Sequence, residues 1–111
     1  MKNELKKKNI AILGSTGSIG TQALDVIKSN PQHFQVEVLT ANGNADLLIE
    51  QAKEFNPNAV VISDDSKYQK VKDILQPLGI KVFSGQESLA QVVQMDSIDI
   101  VLTALVGYAG L

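Results

Sequence analysis

Ile10-Ala11-Ile12-Leu13-Gly14-Ser15-Thr16-Gly17-Ser18-Ile19-Gly20 is the stretch from which the fold can be read. An apolar run breaks at a glycine. Glycine returns at Gly17 and Gly20, and Ile19, Ala23, Val26 and Ile27 then set up a helical stripe at i, i+4, i+7 and i+8. The order is strand, tight turn, helix. Three glycines at this spacing permit the turn, the approach of an anion to backbone N–H groups, and close contact between helix and strand at Gly20. The N-terminus of such a helix offers unpaired N–H donors and a partial positive charge, which makes the turn a candidate socket for a dinucleotide's diphosphate. Ser15, Thr16 and Ser18 would add hydroxyl donors. A plainer reading competes, because serine, threonine and glycine are also ordinary cap and turn residues. The position, after an apolar strand and at the head of an amphipathic helix, favours the socket. A Walker-type phosphate loop is excluded, since Gly20 leads into Thr21 with no lysine between them.

The same alternation continues along the chain. Ile10–Leu13, Val36–Leu39, Ala59–Ile62, Ile80–Phe83 and Ile98–Leu102 read as strands, with Glu37 and Lys81 interrupting the second and fourth as in edge strands. The first helix stops before Pro31. The second carries Leu48, Ala52 and Phe55 and closes at Asn56-Pro57; the third carries Tyr68, Val71, Leu75 and Leu78, ending near Pro77 with Gly79 as a left-handed cap. Ser84-Gly85-Gln86-Glu87 fits a capping box ahead of a fourth stripe at Leu89, Val92 and Val93. Strand and helix in turn argue βαβ units. The expected class is α/β, a three-layer Rossmann-like fold with a mainly parallel twisted sheet and helices on both faces. Residues 1–8 read as a basic tail and 9–111 as the domain. The small, apolar Thr103–Leu111 ends without a stop signal, so the domain is expected to be incomplete at this end.

Composition narrows the function. A chain of 111 residues without cysteine has no disulfide, thiolate metal site or cysteine nucleophile. A net charge of −2 gives no electrostatic case for nucleic acid. Ile10–Leu13 is too short for a signal peptide or a membrane span, and a cytoplasmic location is expected.

Which nucleotide binds depends on the end of the second strand. NAD-binding domains usually place an acid there for the ribose 2′-OH. Here Thr40-Ala41-Asn42-Gly43-Asn44 holds no carboxylate, and Thr40, Asn42, Asn44 and the N–H of Gly43 could donate to a 2′-phosphate, so NADP is favoured over NAD. Glu37 lies within the strand and should point away from the crevice. The turn has neither lysine nor arginine. Other candidates read as structural: His33 in a loop at the wrong end of the sheet, Asp64-Asp65 as a helix start, Asp96 and Asp99 at the edge opposite the crevice, Lys6–Lys8 as a solvated tail. No catalytic constellation and no metal-ligand cluster is visible.

Asn9 to Thr21, with Leu24-Asp25-Val26-Ile27, Asn30-Pro31, His33-Phe34, Ser84-Gly85 and Ala104-Leu105-Val106-Gly107-Tyr108-Ala109-Gly110-Leu111, closely resembles the N-terminus of the 1-deoxy-D-xylulose 5-phosphate reductoisomerases. The resemblance implies an NADPH-dependent enzyme that rearranges and reduces its phosphorylated sugar substrate to 2-C-methyl-D-erythritol 4-phosphate in isoprenoid biosynthesis. It also implies a homodimer and an Mg²⁺ or Mn²⁺ ion whose ligands lie beyond Leu111, so this stretch alone is expected to be inactive. Matched by motif, Thr16, Gly17, Ser18 and Ile19 would hold the cofactor's phosphates, Asn42, Gly43 and Asn44 the 2′-phosphate end, and Ala104, Leu105 and Gly107 would approach the nicotinamide. Many members carry Gly-Lys-Asn where Asn42-Gly43-Asn44 stands here. Two rivals remain: another Rossmann oxidoreductase or epimerase, and a flavodoxin-like receiver using Asp64, which would need an acidic pair where Gly14-Ser15 stands.

Overall fold

The computed structural model describes residues 7–85, 88, 90–91 and 94–103. Among these residues five strands form one parallel sheet: β1 (Lys8–Leu13), β2 (Phe34–Ala41), β3 (Ala59–Ile62), β4 (Lys81–Ser84) and β5 (Ile100–Thr103), in the order β4-β3-β2-β1-β5. Helices α1 (Ser18–Lys28), α2 (Ala45–Phe55) and α3 (Tyr68–Leu75) connect the first four, and short 3₁₀ turns flank α3 at Asp65–Lys67 and Gln76–Leu78.

Topology dictates where the helices lie. From β1 to β4 each step moves the same way across the sheet, so right-handed crossovers place α1, α2 and α3 on one face. Leu24, Ile27, Leu48, Ile49, Ala52, Val71 and Leu75 accordingly share one core with Ile10, Ile12, Leu39, Val60 and Ile62. The step from β4 to β5 returns across the whole sheet, and a right-handed crossover must then use the opposite face. There the small side chains Ala11 and Ala59, with Val38 and Val61, meet Met95 and Ile98 from the crossing segment, which is helical at Ser88, Ala90 and Gln91. Winding reverses between β1 and β5, where doubly wound sheets open a ligand crevice at their carboxyl edge.

Several expectations change. In α1 the inward face is Gly20, Leu24 and Ile27, whereas Ile19 and Val26 are more than half exposed. Gly20 has to meet the loop, and that rotates the helix away from the stripe set by Ile19. Leu78 is likewise exposed, having passed into the 3₁₀ turn after α3. Glu37 is not on an edge strand, because β2 is the middle strand. It is the extra residue of a bulge: Ile10 pairs with Val36 but Ala11 pairs with Val38. The slip inverts the side-chain alternation, so Val36 faces the helices while Val38 faces the other side. Strand ends shift by a residue or two elsewhere; β5, for example, starts at Ile100 rather than Ile98. The capping-box residues Gln86 and Glu87 and the stripe at Leu89, Val92 and Val93 lie outside the described residues. Gly85 takes the left-handed conformation, and Ser88 Oγ donates to the Ser84 carbonyl at 2.8 Å.

Candidate functional site: the glycine turn at the carboxyl edge

The turn after β1 is fastened from below by its neighbour strand. Gly14 bends at φ +84°, a conformation that costs glycine little and other residues more. Its N–H reaches Thr40 O at 3.1 Å and Thr40 Oγ1 at 3.0 Å, and the Ser15 N–H reaches Thr40 O at 2.8 Å. Thr40 is buried, so it serves the turn and is not free for a 2′-phosphate as its position suggested. Ser15 is also fully buried. Its hydroxyl lies 2.7 Å from Gln51 Oε1 and 3.2 Å from Thr40 O, while Gln51 Nε2 donates to the Ser15 carbonyl at 2.8 Å. Ser15 is therefore a strut of the turn and offers nothing to a ligand. The hydroxyls of Thr16 and Ser18 take no part in these bonds.

Gly20 sets the closeness of helix and turn. A Cβ there would stand 2.3 Å from Gly14 O and 2.7 Å from Ser15 Cα, both backbone atoms. The helix begins at Gly17 as N-cap, with no side-chain cap. The first backbone donor to find a partner in this turn of helix is Thr21, to Gly17 O at 2.9 Å. The N–H groups of Ser18, Ile19 and Gly20 precede any carbonyl they could reach within the helix. Ser18 and Ile19 thus form an open, electropositive end at the β1 side of the switch point, preceded by half-buried Thr16 and by Gly17, whose N–H closes the turn on Gly14 O at 3.2 Å.

Asn42, Gly43 and Asn44 form a second station at the same edge, after β2. The following loop holds it: Ser63 N–H donates to Ala41 O and Asp64 N–H to Asn42 O, each at 2.9 Å. Asn44 caps α2, its side-chain oxygen accepting from Leu47 N–H at 3.2 Å, which leaves the amide nitrogen both its donors. Asp64 caps the next turn, accepting from Ser66 N–H at 3.0 Å and Ser66 Oγ at 2.7 Å; these bonds hold its carboxyl below the usual carboxylate range. Asp46, in the first turn of α2, is lowered by Lys70, whose Nζ lies 2.6 Å away.

The remaining candidates fall where the sequence put them or outside view. Glu37 borders a polar hollow at the amino edge with Gln35, Asn56 and Asn58, away from the crevice. Asp99 joins β5 to β1 at that same edge, accepting from Asn9 N–H at 2.8 Å. His33 is exposed, and its carbonyl accepts from Lys8 N–H. Ala104, Leu105 and Gly107 lie outside the described residues. Among the described residues no three His, Cys, Asp or Glu side chains gather as a metal site. Two contributors escaped the sequence reading. Gln51 sits three residues after Leu48, on the apolar stripe of α2, and a polar side chain at a core position was its signal. Lys70 gave no local signal, because its neighbour Asp46 is 24 residues away.

A parallel doubly wound sheet with a glycine turn and an open helix end at its switch point defines the dinucleotide-binding class of α/β domains. The sequence profile of 1-deoxy-D-xylulose 5-phosphate reductoisomerase matches residues 10–111, and the chain belongs to that family. It is 58% identical over 109 residues to the Bacteroides fragilis enzyme of that name, covering 98% of this chain and 28% of the relative. Against the Clostridium perfringens enzyme it is 44% identical over 106 residues, again 28% of the relative. The chain thus spans about a quarter of the length of these relatives. Among solved structures it resembles the Zymomonas mobilis reductoisomerase in complex with NADPH, with a TM-score of 0.86, 34% identity, and coverage of 92% of this chain and 27% of that one. A reductoisomerase complex with NADPH, fosmidomycin and magnesium matches at a TM-score of 0.84 and 31% identity, over 90% of this chain and 25% of that one.

Proposed function

We propose that this chain is the NADPH-binding part of a 1-deoxy-D-xylulose 5-phosphate reductoisomerase, the enzyme that rearranges and reduces that sugar phosphate to 2-C-methyl-D-erythritol 4-phosphate. The observation that carries the reading is the α1 N-terminus, which no side chain caps and which Gly20 holds against the turn. NADPH, when bound, supplies the hydride. The chain's own part is to bind and orient. The N–H groups of Ser18 and Ile19 meet the diphosphate, with the helix dipole behind them and Gly17 letting the phosphate come close to the backbone. Thr40 and Gln51 keep those donors in place before any ligand arrives, so little ordering is left to be done on binding. Asn42, the Gly43 N–H and the free amide donors of Asn44 face the adenosine 2′-phosphate.

The sugar-phosphate substrate, the Mg²⁺ or Mn²⁺ ion, a homodimeric assembly and a cytoplasmic location belong to the same reading. The metal's ligands would lie beyond Leu111. Titration calorimetry with NADPH and NADH tests the cofactor. Tighter binding of NADPH is expected, with no reductoisomerase turnover by residues 1–111 alone. Folded protein, checked by circular dichroism, that binds neither nucleotide would overturn the reading.

A further inference from the structure

A 2′-phosphate brings a charge of roughly −1.5 to −2 to the end of β2, yet Thr40–Asn44 contains no cation. All ten basic residues of the chain are lysines, and the fold sorts them by edge. Lys7, Lys8 and Lys81 stand at or before strand starts, and Lys28 and Lys53 occupy the last turns of α1 and α2; these five belong to the amino edge. Lys72 lies farther along α3, over the Tyr68 ring. Among the described lysines, Lys67 and Lys70 alone stand at the carboxyl edge, in the turn after β3 and the first turn of α3.

Both border the Asn42-Gly43-Asn44 turn. Lys70 Nζ is 2.6 Å from Asp46 Oδ1, two residues past Asn44. Lys67 N–H donates to Asp64 O at 3.0 Å, which seats Lys67 in the same connection. Asp64 in turn bonds Asn42 through its backbone, and its Oδ2 lies 3.7 Å from where a Gly43 side chain would begin. Two carboxylates therefore flank the station that must accept a phosphate. Without lysines beside them they would repel it.

We propose that Lys67 and Lys70 are the specificity-determining cations of this domain, reaching from the β3–α3 connection to the 2′-phosphate at Asn42-Gly43-Asn44 and so selecting NADPH over NADH. The inference rests on the NADPH reading above. Asp46 keeps the Lys70 ammonium group at the rim of the turn, and the backbone bond to Asp64 places Lys67 in the connection next to it. The Lys70–Asp46 pair is solvent-exposed on both sides, hence weak and readily exchanged for a dianionic partner. A lysine's four-carbon stem allows that swing with no backbone movement.

The test is to titrate NADPH and NADH into the complete polypeptide carrying this domain, as wild type, Lys67→Gln, Lys70→Gln, the double variant and the double Lys→Arg variant. Lys53→Gln, at the amino edge, is the control. Each single variant is expected to weaken NADPH about tenfold and the double variant more, with NADH changed less than about twofold, because a charge-assisted bond is lost only to the phosphate. The arginine pair should retain the NADPH preference, and the control should match wild type. NADPH affinity unchanged in the double variant, or NADH weakened equally, would overturn the lysine assignment while leaving the cofactor reading intact. Wild-type protein that binds neither nucleotide would overturn both.

Discussion

Gly20→Ala should damage both stability and nucleotide binding, and the structure sets the scale. The added carbon would stand 2.3 Å from Gly14 O, 2.7 Å from Ser15 Cα and 2.9 Å from Ser15 C. All three are backbone atoms pinned by Thr40 and Gln51, so no side chain can swing aside. Relief requires helix and turn to separate by about 1 Å, since ordinary non-bonded carbon contacts begin near ~3.4 Å. Overpacking of this kind costs about 1–3 kcal/mol. Alanine returns at most ~1 kcal/mol as the better helix former. The net expectation is a loss of about 1–2 kcal/mol in urea unfolding. Binding should suffer more, because the same displacement moves the N–H groups of Ser18 and Ile19 off a diphosphate. One bond to a charged group is worth roughly 1.5–3 kcal/mol, at least tenfold in Kd. Gly43→Ala is the contrast: its nearest neighbour would be a side-chain oxygen at 3.7 Å, an ordinary contact, and stability should stay within about 0.5 kcal/mol. A Gly20→Ala protein as stable as wild type and as tight for NADPH would refute the claim that this glycine sets the helix against the turn.

Gln51→Leu fills the same space but leaves the Ser15 carbonyl without a partner and its hydroxyl with only the longer bond to Thr40 O; a destabilisation of about 1–3 kcal/mol is expected in chemical denaturation, with NADPH and NADH weakened alike since both share the diphosphate. A loss confined to NADPH would contradict the placement of Gln51 beneath the turn. Asn44→Ala removes the α2 cap and should cost about 1 kcal/mol; an unchanged unfolding midpoint would mean the cap contributes nothing. Asp64 is held below its ordinary carboxylate value by the bonds from Ser66, so its contribution is complete above the unfolded Asp range and disappears as pH falls through the lower folded value. An NMR titration of the Asp64 carboxyl with a midpoint at or above about 3.9 would contradict that.

The fold was legible because its signals are local. Four of the five strands are short apolar runs, and each helix is bounded by a residue with a steric or capping reason to be there, such as Asn30-Pro31 or Asn56-Pro57. What stayed hidden was relational. Ile19 and Val26 fit a helical stripe, yet the rotation of α1 is fixed by what Gly20 must touch, and no periodicity within α1 records that. Glu37 looked like an edge residue because an acid interrupts the run; the bulge that accommodates it depends on pairing with Ile10 and Ala11, some 26 residues earlier in the chain. Thr40 and Ser15 carried the right chemistry for a ligand and spend it inside the turn instead, the Thr40 hydroxyl on the Gly14 N–H and the Ser15 hydroxyl on Gln51 and Thr40 O.

That exchange bears on how the site works. A phosphate socket made of backbone N–H groups has no side chain to mutate directly, so its geometry depends on whatever holds the backbone. Here β2 supplies Thr40 and α2 supplies Gln51, both buried, and both belong to the βα unit that also carries Asn42, Gly43 and Asn44. The two stations therefore share one rigid support. A disturbance of α2 should reach the diphosphate turn through Gln51 and the 2′-phosphate turn through the Asn44 cap, whereas a disturbance at Lys67 or Lys70 should reach only the second. Loss of both nucleotides on changing Gln51, set against loss of NADPH alone on changing the two lysines, follows from that arrangement, and the opposite pattern could not arise from it.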